Sequence, residues 1–383
     1  MKISRRGSVD PFIVMDVMEQ ARAAQAAGRD VIHMEVGQPA TPAPRLARER
    51  LARALDSDAL GYTVALGLPE LREGIARLYK RRHGLDLDPA RVVVTAGSSG
   101  AFLLAFLALF EIGDEVALGD PSYPSYRNIF KALGVRVRRI ETRPETRYQP
   151  TPADMGDSDG LLVASPANPT GTMLALDELR ALAQACAARG AAFISDEIYH
   201  GLTYERPAVS ALEATDDVFV INSFSKYFSM TGWRIGWMVV PPSHLRAVER
   251  LAQNLFICPT HASQVAALGA LEAEDELEAN RAVYARNRAL LLEELPRAGF
   301  RDIAPCDGAF YLYADVAHLT DDSRAFCARM LDEAGVAATP GLDFDPVRGA
   351  RTVRFSFAGS EAQMREGARR LRAWLGAGGK AAR

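Results

Sequence analysis

From Arg91 onward the chain alternates short β-rich runs with helix-like stretches, and this alternation restricts the possible folds more than any other feature. Seven candidate strands stand out: Arg91–Thr95, Glu115–Leu118, Val135–Ile140, Leu161–Ala164, Ala191–Ser195, Val218–Asn222 and Ile235–Val240. Several are apolar at consecutive positions, as strands covered on both faces must be. Helix-like stretches lie between them at Ala101–Phe110, Tyr126–Leu133, Leu176–Ala188 and Ser243–Asn254. The pattern predicts an α/β fold, a three-layer sandwich around a mainly parallel seven-stranded sheet.

After Asp275 the rhythm changes. Glu276–Ala298 reads as a long amphipathic helix, Ala309–Ala314 and Thr352–Phe357 as strands, and Glu361–Leu375 as a last helix. With 383 residues the chain exceeds the size at which one core stops growing, so two domains are expected. The reading gives an N-terminal arm at 1–39 belonging to the small domain, a large domain at 40–275 and a smaller α+β domain at 276–383. The Gly/Ala/Lys-rich stretch after Leu375 is expected to fray.

A formal net charge of −3 offers no electrostatic reason to expect nucleic acid or an anionic membrane as a partner. The start, Met1 to Arg6, is basic, but Pro11 and Asp16 interrupt the apolar stretch that a signal peptide would need. The longest apolar run, Ala101–Phe110, falls short of the ~20 residues that span a bilayer. Cys186, Cys258, Cys306 and Cys327 form no CxxC pair, so reduced thiols in a cytoplasmic protein are expected, with no metal.

The segment richest in chemistry is Asn222-Ser223-Phe224-Ser225-Lys226, followed by Met230-Thr231-Gly232-Trp233-Arg234-Ile235-Gly236. An ammonium ion at the end of a buried strand is costly to desolvate. Two hydroxyls flank Lys226, a glycine turn follows, and Arg234 stands eight positions on; hydroxyls, a cation and free amides are what a phosphate needs. A desolvated lysine near cations has a lowered pKa, and its neutral amine can attack a carbonyl to form a Schiff base. Together these point to an aldehyde cofactor that carries a phosphate.

Ser-Phe-Ser-Lys followed by Thr-Gly-Trp-Arg-Ile-Gly closely resembles the cofactor-attachment motif of the class I/II aminotransferases, the aspartate aminotransferase superfamily of pyridoxal 5′-phosphate enzymes of fold type I. The resemblance runs from Gly37 to Arg354, with the motifs in the family's order. It implies that Lys226 holds pyridoxal 5′-phosphate and that Asp196, in Ser195-Asp196-Glu197-Ile198-Tyr199, pairs with the pyridine nitrogen. On its own Asp196 also reads as a helix N-cap or a metal ligand. Tyr199 and Asn168, the latter in Asn168-Pro169-Thr170-Gly171, would donate to the cofactor's phenolate oxygen. Thr95-Ala96-Gly97-Ser98-Ser99-Gly100 matches the phosphate-cradling turn and points to Ser98 and Ser99, at a helix end that favours anions. Ser223, Ser225 and Arg234 would complete the phosphate site. Tyr123 matches the aromatic that stacks on the ring. Arg354 matches the arginine that grips the substrate carboxylate, beside the backbone of Gly37. Tyr62 matches a tyrosine that reaches the phosphate of the neighbouring subunit, which implies a homodimer with shared sites.

The resemblance implies a ping-pong transfer from an L-amino acid to a 2-oxo acid. A C–S β-lyase of the same fold is the alternative, told apart by release of pyruvate and ammonia without an added keto acid. A cofactor-sensing regulator would carry a winged helix before the motifs, and fewer than forty residues precede Gly37. Two departures from the aspartate-specific enzymes stand out. Tyr123 replaces their tryptophan, and Asn254–His261 holds no arginine for a distal carboxylate. Phe12, Ile13 and Val14 are expected to close over the side chain instead, so neutral or aromatic donors should outperform aspartate.

Overall fold

The computed structural model describes residues 1–376, so the stretch after Leu375, apart from Gly376, lies outside the described residues. Seven strands form the large sheet: β1 (Val92–Thr95), β2 (Glu115–Asp120), β3 (Arg136–Glu141), β4 (Gly160–Ala164), β5 (Ala192–Asp196), β6 (Phe219–Ser223) and β7 (Gly236–Val239). Their order is β1-β7-β6-β5-β4-β2-β3, and β7 alone runs against the others. The continuous apolar runs have a direct cause. Val92, Val94, Leu161, Val163, Val220 and Trp237 enter one core, while Val93, Leu162, Phe219, Ile221 and Met238 enter a second core across the sheet. Alternate side chains thus meet helices on opposite faces, Leu179 and Leu182 on one side and Phe102, Phe106 and Val248 on the other. β3 is the exception, an edge strand whose Arg136 and Arg138 project into solvent and discourage further pairing.

The expected elements all form, with ends displaced by a few residues. The helix expected at Ala101 begins at Gly97, because small polar residues there are helical without being apolar. Helices Ile13–Ala26, Arg45–Ser57, Pro69–His83, His261–Ala270 and Ser323–Arg329 are additional to those read from the sequence. Arg45–Ser57 buries a single residue, Ala47, and so carries no apolar stripe to announce it.

Beyond the long Glu274–Ala298 helix, strands Arg301–Ile303, Tyr311–Asp315, Thr339–Pro340 and Thr352–Ser356 make a four-stranded antiparallel sheet. The N-terminal arm joins this end of the chain. Ile32–His33 pairs in parallel with Val336–Ala337, and Ile13, Val17 and Ala21 pack with Leu331. Among the described residues no helix is long and apolar enough to cross a membrane.

Candidate active site

Six parallel strands point their carboxyl ends the same way, and in open α/β sheets that edge is where ligands bind. β1 leads into Gly97–Ser99, β2 into Tyr123, β4 into Asn168 and β6 into Lys226, while β5 ends on Asp196. Ser98, Ser99, Tyr123, Asn168, Asp196 and Lys226 all border one cleft at this edge. Tyr311 and Arg354 close it from the small sheet, and Val36, Gly37 and the N-terminal arm close it from above.

At the centre, Lys226 Nζ donates to the Gly37 carbonyl at 2.6 Å. Burial, then the positive charges of Arg354 and Arg234, push the lysine down to about 8, and Asp196 offsets part of the shift. Asp196 is buried and accepts from the Ile198 amide at 3.1 Å and from the Tyr126 hydroxyl. Burial raises it to about 6, against these two donors and Lys226. Its neighbour Glu197 turns away to Ser195, Ser210 and the Ala211 amide, where burial pushes it up to about 8. Only Asp196 of this acidic pair faces the cleft.

Tyr199 Oη lies 2.8 Å from Tyr311 Oη, and burial holds the Tyr199 phenol well above its ordinary range. Gly37 has no freedom to be anything larger, since a Cβ there would sit 1.9 Å from Tyr311 Oη. Arg354 donates to Asn168 Oδ1 at 2.9 Å, to the Glu35 carbonyl at 2.5 Å and to Thr339 Oγ1 at 3.2 Å. Tyr311 and Phe344 sandwich its guanidinium at 4.2 and 4.6 Å. Among the described residues these acceptors are all uncharged, and its buried Nε has no acceptor. A buried cation without a counter-ion is expensive, and a bound carboxylate relieves it.

At the opposite end, no side chain caps the Gly97–Leu109 helix. Gly97 has φ +68°, and a Cβ on it would lie 2.5 Å from Arg234 Nη2. Ser98, Ser99, Ser225, Thr231 and Arg234 line the cleft beside this helix start, a setting that favours an anion.

The structure brings Gly37, Ser98, Ser99, Tyr123, Asn168, Asp196, Tyr199, Ser225, Lys226, Arg234 and Arg354 to one cleft. Ser223 sits behind it, bonded to Ser225 Oγ at 2.8 Å and the Ile235 carbonyl at 3.0 Å. Tyr62 does not line its own chain's cleft and is 85 % exposed. Of the arm residues expected over the side chain, Phe12 and Val14 face the cavity. Ile13 turns into the packing with Val17, and Met15 takes its place, because these positions begin a helix rather than a strand. Tyr126 and Tyr311 were not read as site residues; the available signal for Tyr126 was its place three residues after Tyr123 at a helix start.

A mainly parallel sheet with a lysine and a buried carboxylate at its carboxyl edge, faced by an arginine that lacks a counter-ion, has the architecture of the aspartate aminotransferase-like proteins of fold type I. The chain belongs to the aminotransferase class I and II family, which matches residues 29–371. A valine–pyruvate aminotransferase of Mycobacterium tuberculosis is 50% identical over 382 residues, 98% of each chain. A solved structure from Silicibacter pomeroyi is 62% identical with a TM-score of 0.94, covering 98% of this chain and all of that one. The Thermus thermophilus aspartate aminotransferase solved with maleate is 33% identical with a TM-score of 0.91, covering 97% and 99%. The chain is an aminotransferase that moves an amino group from an amino acid to a 2-oxo acid.

Proposed function

We propose that Lys226 carries pyridoxal 5′-phosphate and that the enzyme transfers the amino group of neutral amino acids, as a cytoplasmic homodimer with shared sites. The observation that carries the cofactor assignment is a juxtaposition: Lys226 and buried Asp196 share one cleft with Arg234, whose guanidinium lies against the Gly97 helix start. These residues fit the group. A phosphate suits Arg234 and the helix start, and a protonated ring nitrogen suits a carboxylate that burial otherwise disfavours. When bound, the cofactor supplies a ring that stabilises negative charge at the substrate Cα.

This chain's residues do the rest. Asp196 holds a proton at the ring nitrogen, steadied by Tyr126. Tyr199 and Asn168 would donate to the ring oxygen of the cofactor, and Tyr123 would pack against its ring. Arg354 fixes the substrate α-carboxylate with its planar fork. Lys226 Nζ, lowered to about 8, would accept the Cα proton and deliver it to C4′ of the cofactor, a task suited to a base poised near neutral pH.

Donor class follows from charge. Among the described residues the only lysine and arginine side chains lining the cleft are Lys226, Arg234 and Arg354, each with a role already. The outer wall is apolar, with Phe12, Val14 and Met15, and leaves a second carboxylate without a partner. The relative named for valine and pyruvate is 50% identical, whereas the relatives named for aspartate are 30–34% identical. The assignment of the arm at 1–39 to the small domain is supported by its pairing with Val336–Ala337, and the cytoplasmic assignment by four free cysteines.

Borohydride reduction of the yellow holoenzyme should fix the cofactor to the peptide holding Lys226; label on any other lysine sinks that assignment. A panel of valine, leucine, methionine, phenylalanine and aspartate with 2-oxobutyrate should rank neutral donors first by kcat/KM. Aspartate ahead by about tenfold, ~1.4 kcal/mol of transition-state preference, would refute the donor class.

A further inference from the structure

The apolar wall of the cleft is the beginning of the Ile13–Ala26 helix, with Phe12, Val14 and Met15 facing the cavity. A helix leaves its first amide N–H groups without intrahelical acceptors, and Phe12, at the cap position, has no side-chain oxygen to offer. Both acceptors come from the far end of the chain. The Ile13 amide donates to Asp343 Oδ1 at 3.0 Å and the Val14 amide to Asp343 Oδ2 at 3.1 Å. Asp343 is fully buried. The next residue, Phe344, covers the Arg354 guanidinium at 4.6 Å. The Asp343 carbonyl accepts from Arg127 at 2.6 Å, on the helix that also carries Tyr126. Phe12 in turn stands edge-on to Tyr123, with ring centroids 5.7 Å apart. Adjacent residues thus secure the two surfaces that face a substrate, the wall through Asp343 and the guanidinium through Phe344.

We propose that Asp343 is a positioning residue for side-chain specificity: it sets the Phe12–Met15 wall at a fixed reach from Arg354, so that a branched neutral side chain is held while its carboxylate is anchored. The inference rests on the neutral-donor reading above. One methylene in an apolar pocket discriminates by roughly 10- to 200-fold, so a wall displaced by a fraction of a side chain loses that selectivity. An asparagine at 343 keeps the shape but offers one acceptor oxygen, and its amide N–H₂ faces the second helix N–H. The wall then loses one of its two anchors.

The test is the amine half-reaction of the holoenzyme, followed by cofactor absorbance, with valine, alanine and aspartate. In Asp343→Asn the valine-to-alanine ratio of kcat/KM should fall tenfold or more. Equal losses for both donors, or no loss, overturn the proposal, because a structural role alone moves the two together. Should Asp343→Asn not fold, Asp343→Ser retains one acceptor on a smaller side chain and is read the same way. Amide exchange in the wild-type holoenzyme is an independent check. Ile13 and Val14 should be protected, and exchange as fast as in an unfolded chain overturns the proposal whatever the variants do. The two readings fail differently. Aspartate surpassing valine in the wild type refutes the donor class, whereas valine preference with an unchanged ratio in the variant refutes Asp343 alone.

Discussion

At the scale of single residues, Asp196 shows how burial creates both a cost and a use. Its carboxylate is raised to about 6 because water is excluded and its donors only partly compensate. The unfolded value is near 3.9. Between those limits the folded protein binds more protons than the unfolded chain, so folding is favoured as pH falls through about 6 and disfavoured above it. The difference corresponds to a penalty on the order of 3 kcal/mol when Asp196 is fully ionised in the cofactor-free protein. Cofactor-free enzyme should therefore gain in Tm between pH 7.5 and pH 5 relative to Asp196→Asn, and the holoenzyme should show a smaller gain. A cofactor-free protein whose pH–Tm curve parallels that of the variant contradicts this account. The same scale explains which residues escaped sequence reading. Asp196, Tyr199 and Lys226 belong to short local motifs. Tyr126, Tyr311 and Asp343 gain their meaning from partners 70, 112 and 330 positions away, and no local pattern announces such a contact.

At the scale of elements, what could be read was what two-sided burial dictates. Continuous apolar runs such as Leu161–Val163 and Phe219–Ile221 have little choice but to be central strands. The direction of β7 was not legible, because a strand buried on both faces looks the same whichever way it runs. Helix starts are hard to read where small polar residues precede the apolar stretch, and the cradle proposed for the phosphate lies at such a start. Gly97 occupies the left-handed region at φ +68°, where an L side chain costs roughly 1–2 kcal/mol. A methyl group there also meets Arg234 Nη2 at 2.5 Å, so the guanidinium must move off the helix end. Gly97→Ala should raise the Kd for pyridoxal 5′-phosphate tenfold or more and lower Tm by a few degrees. Spectrophotometric titration of cofactor-free protein measures the first effect; an unchanged Kd would show that Arg234 and this helix end do not hold the phosphate.

At the scale of the whole molecule, the decisive fact is that Tyr62 stands 85 % exposed beside exposed Val64, with exposed Ile257 close by, since the Thr63 amide meets Cys258 Sγ at 3.5 Å. Large apolar side chains gathered in this way mark contact surfaces more often than solvated ones. If a two-fold partner covers them, Tyr62 of one subunit serves the cradle of the other, and each active site draws on two chains. Subunit mixing distinguishes this from a site complete in one chain. Tyr62→Ala dimers would retain both lysines and lack the tyrosine at each site; Lys226→Ala dimers would retain both tyrosines and lack the lysine. In a mixed dimer the site with a sound Lys226 receives Tyr62 from the Lys226→Ala subunit, and the other site carries both defects. Random exchange of equal amounts makes about half the dimers mixed, each with one intact site, so activity should rise to about a quarter of wild type. Were Tyr62 to act within its own chain, the intact lysine would still lack its tyrosine and nothing would be regained. Separately tagged variants let exchange be verified by co-purification before activity is measured, and no recovery after verified exchange overturns the shared site.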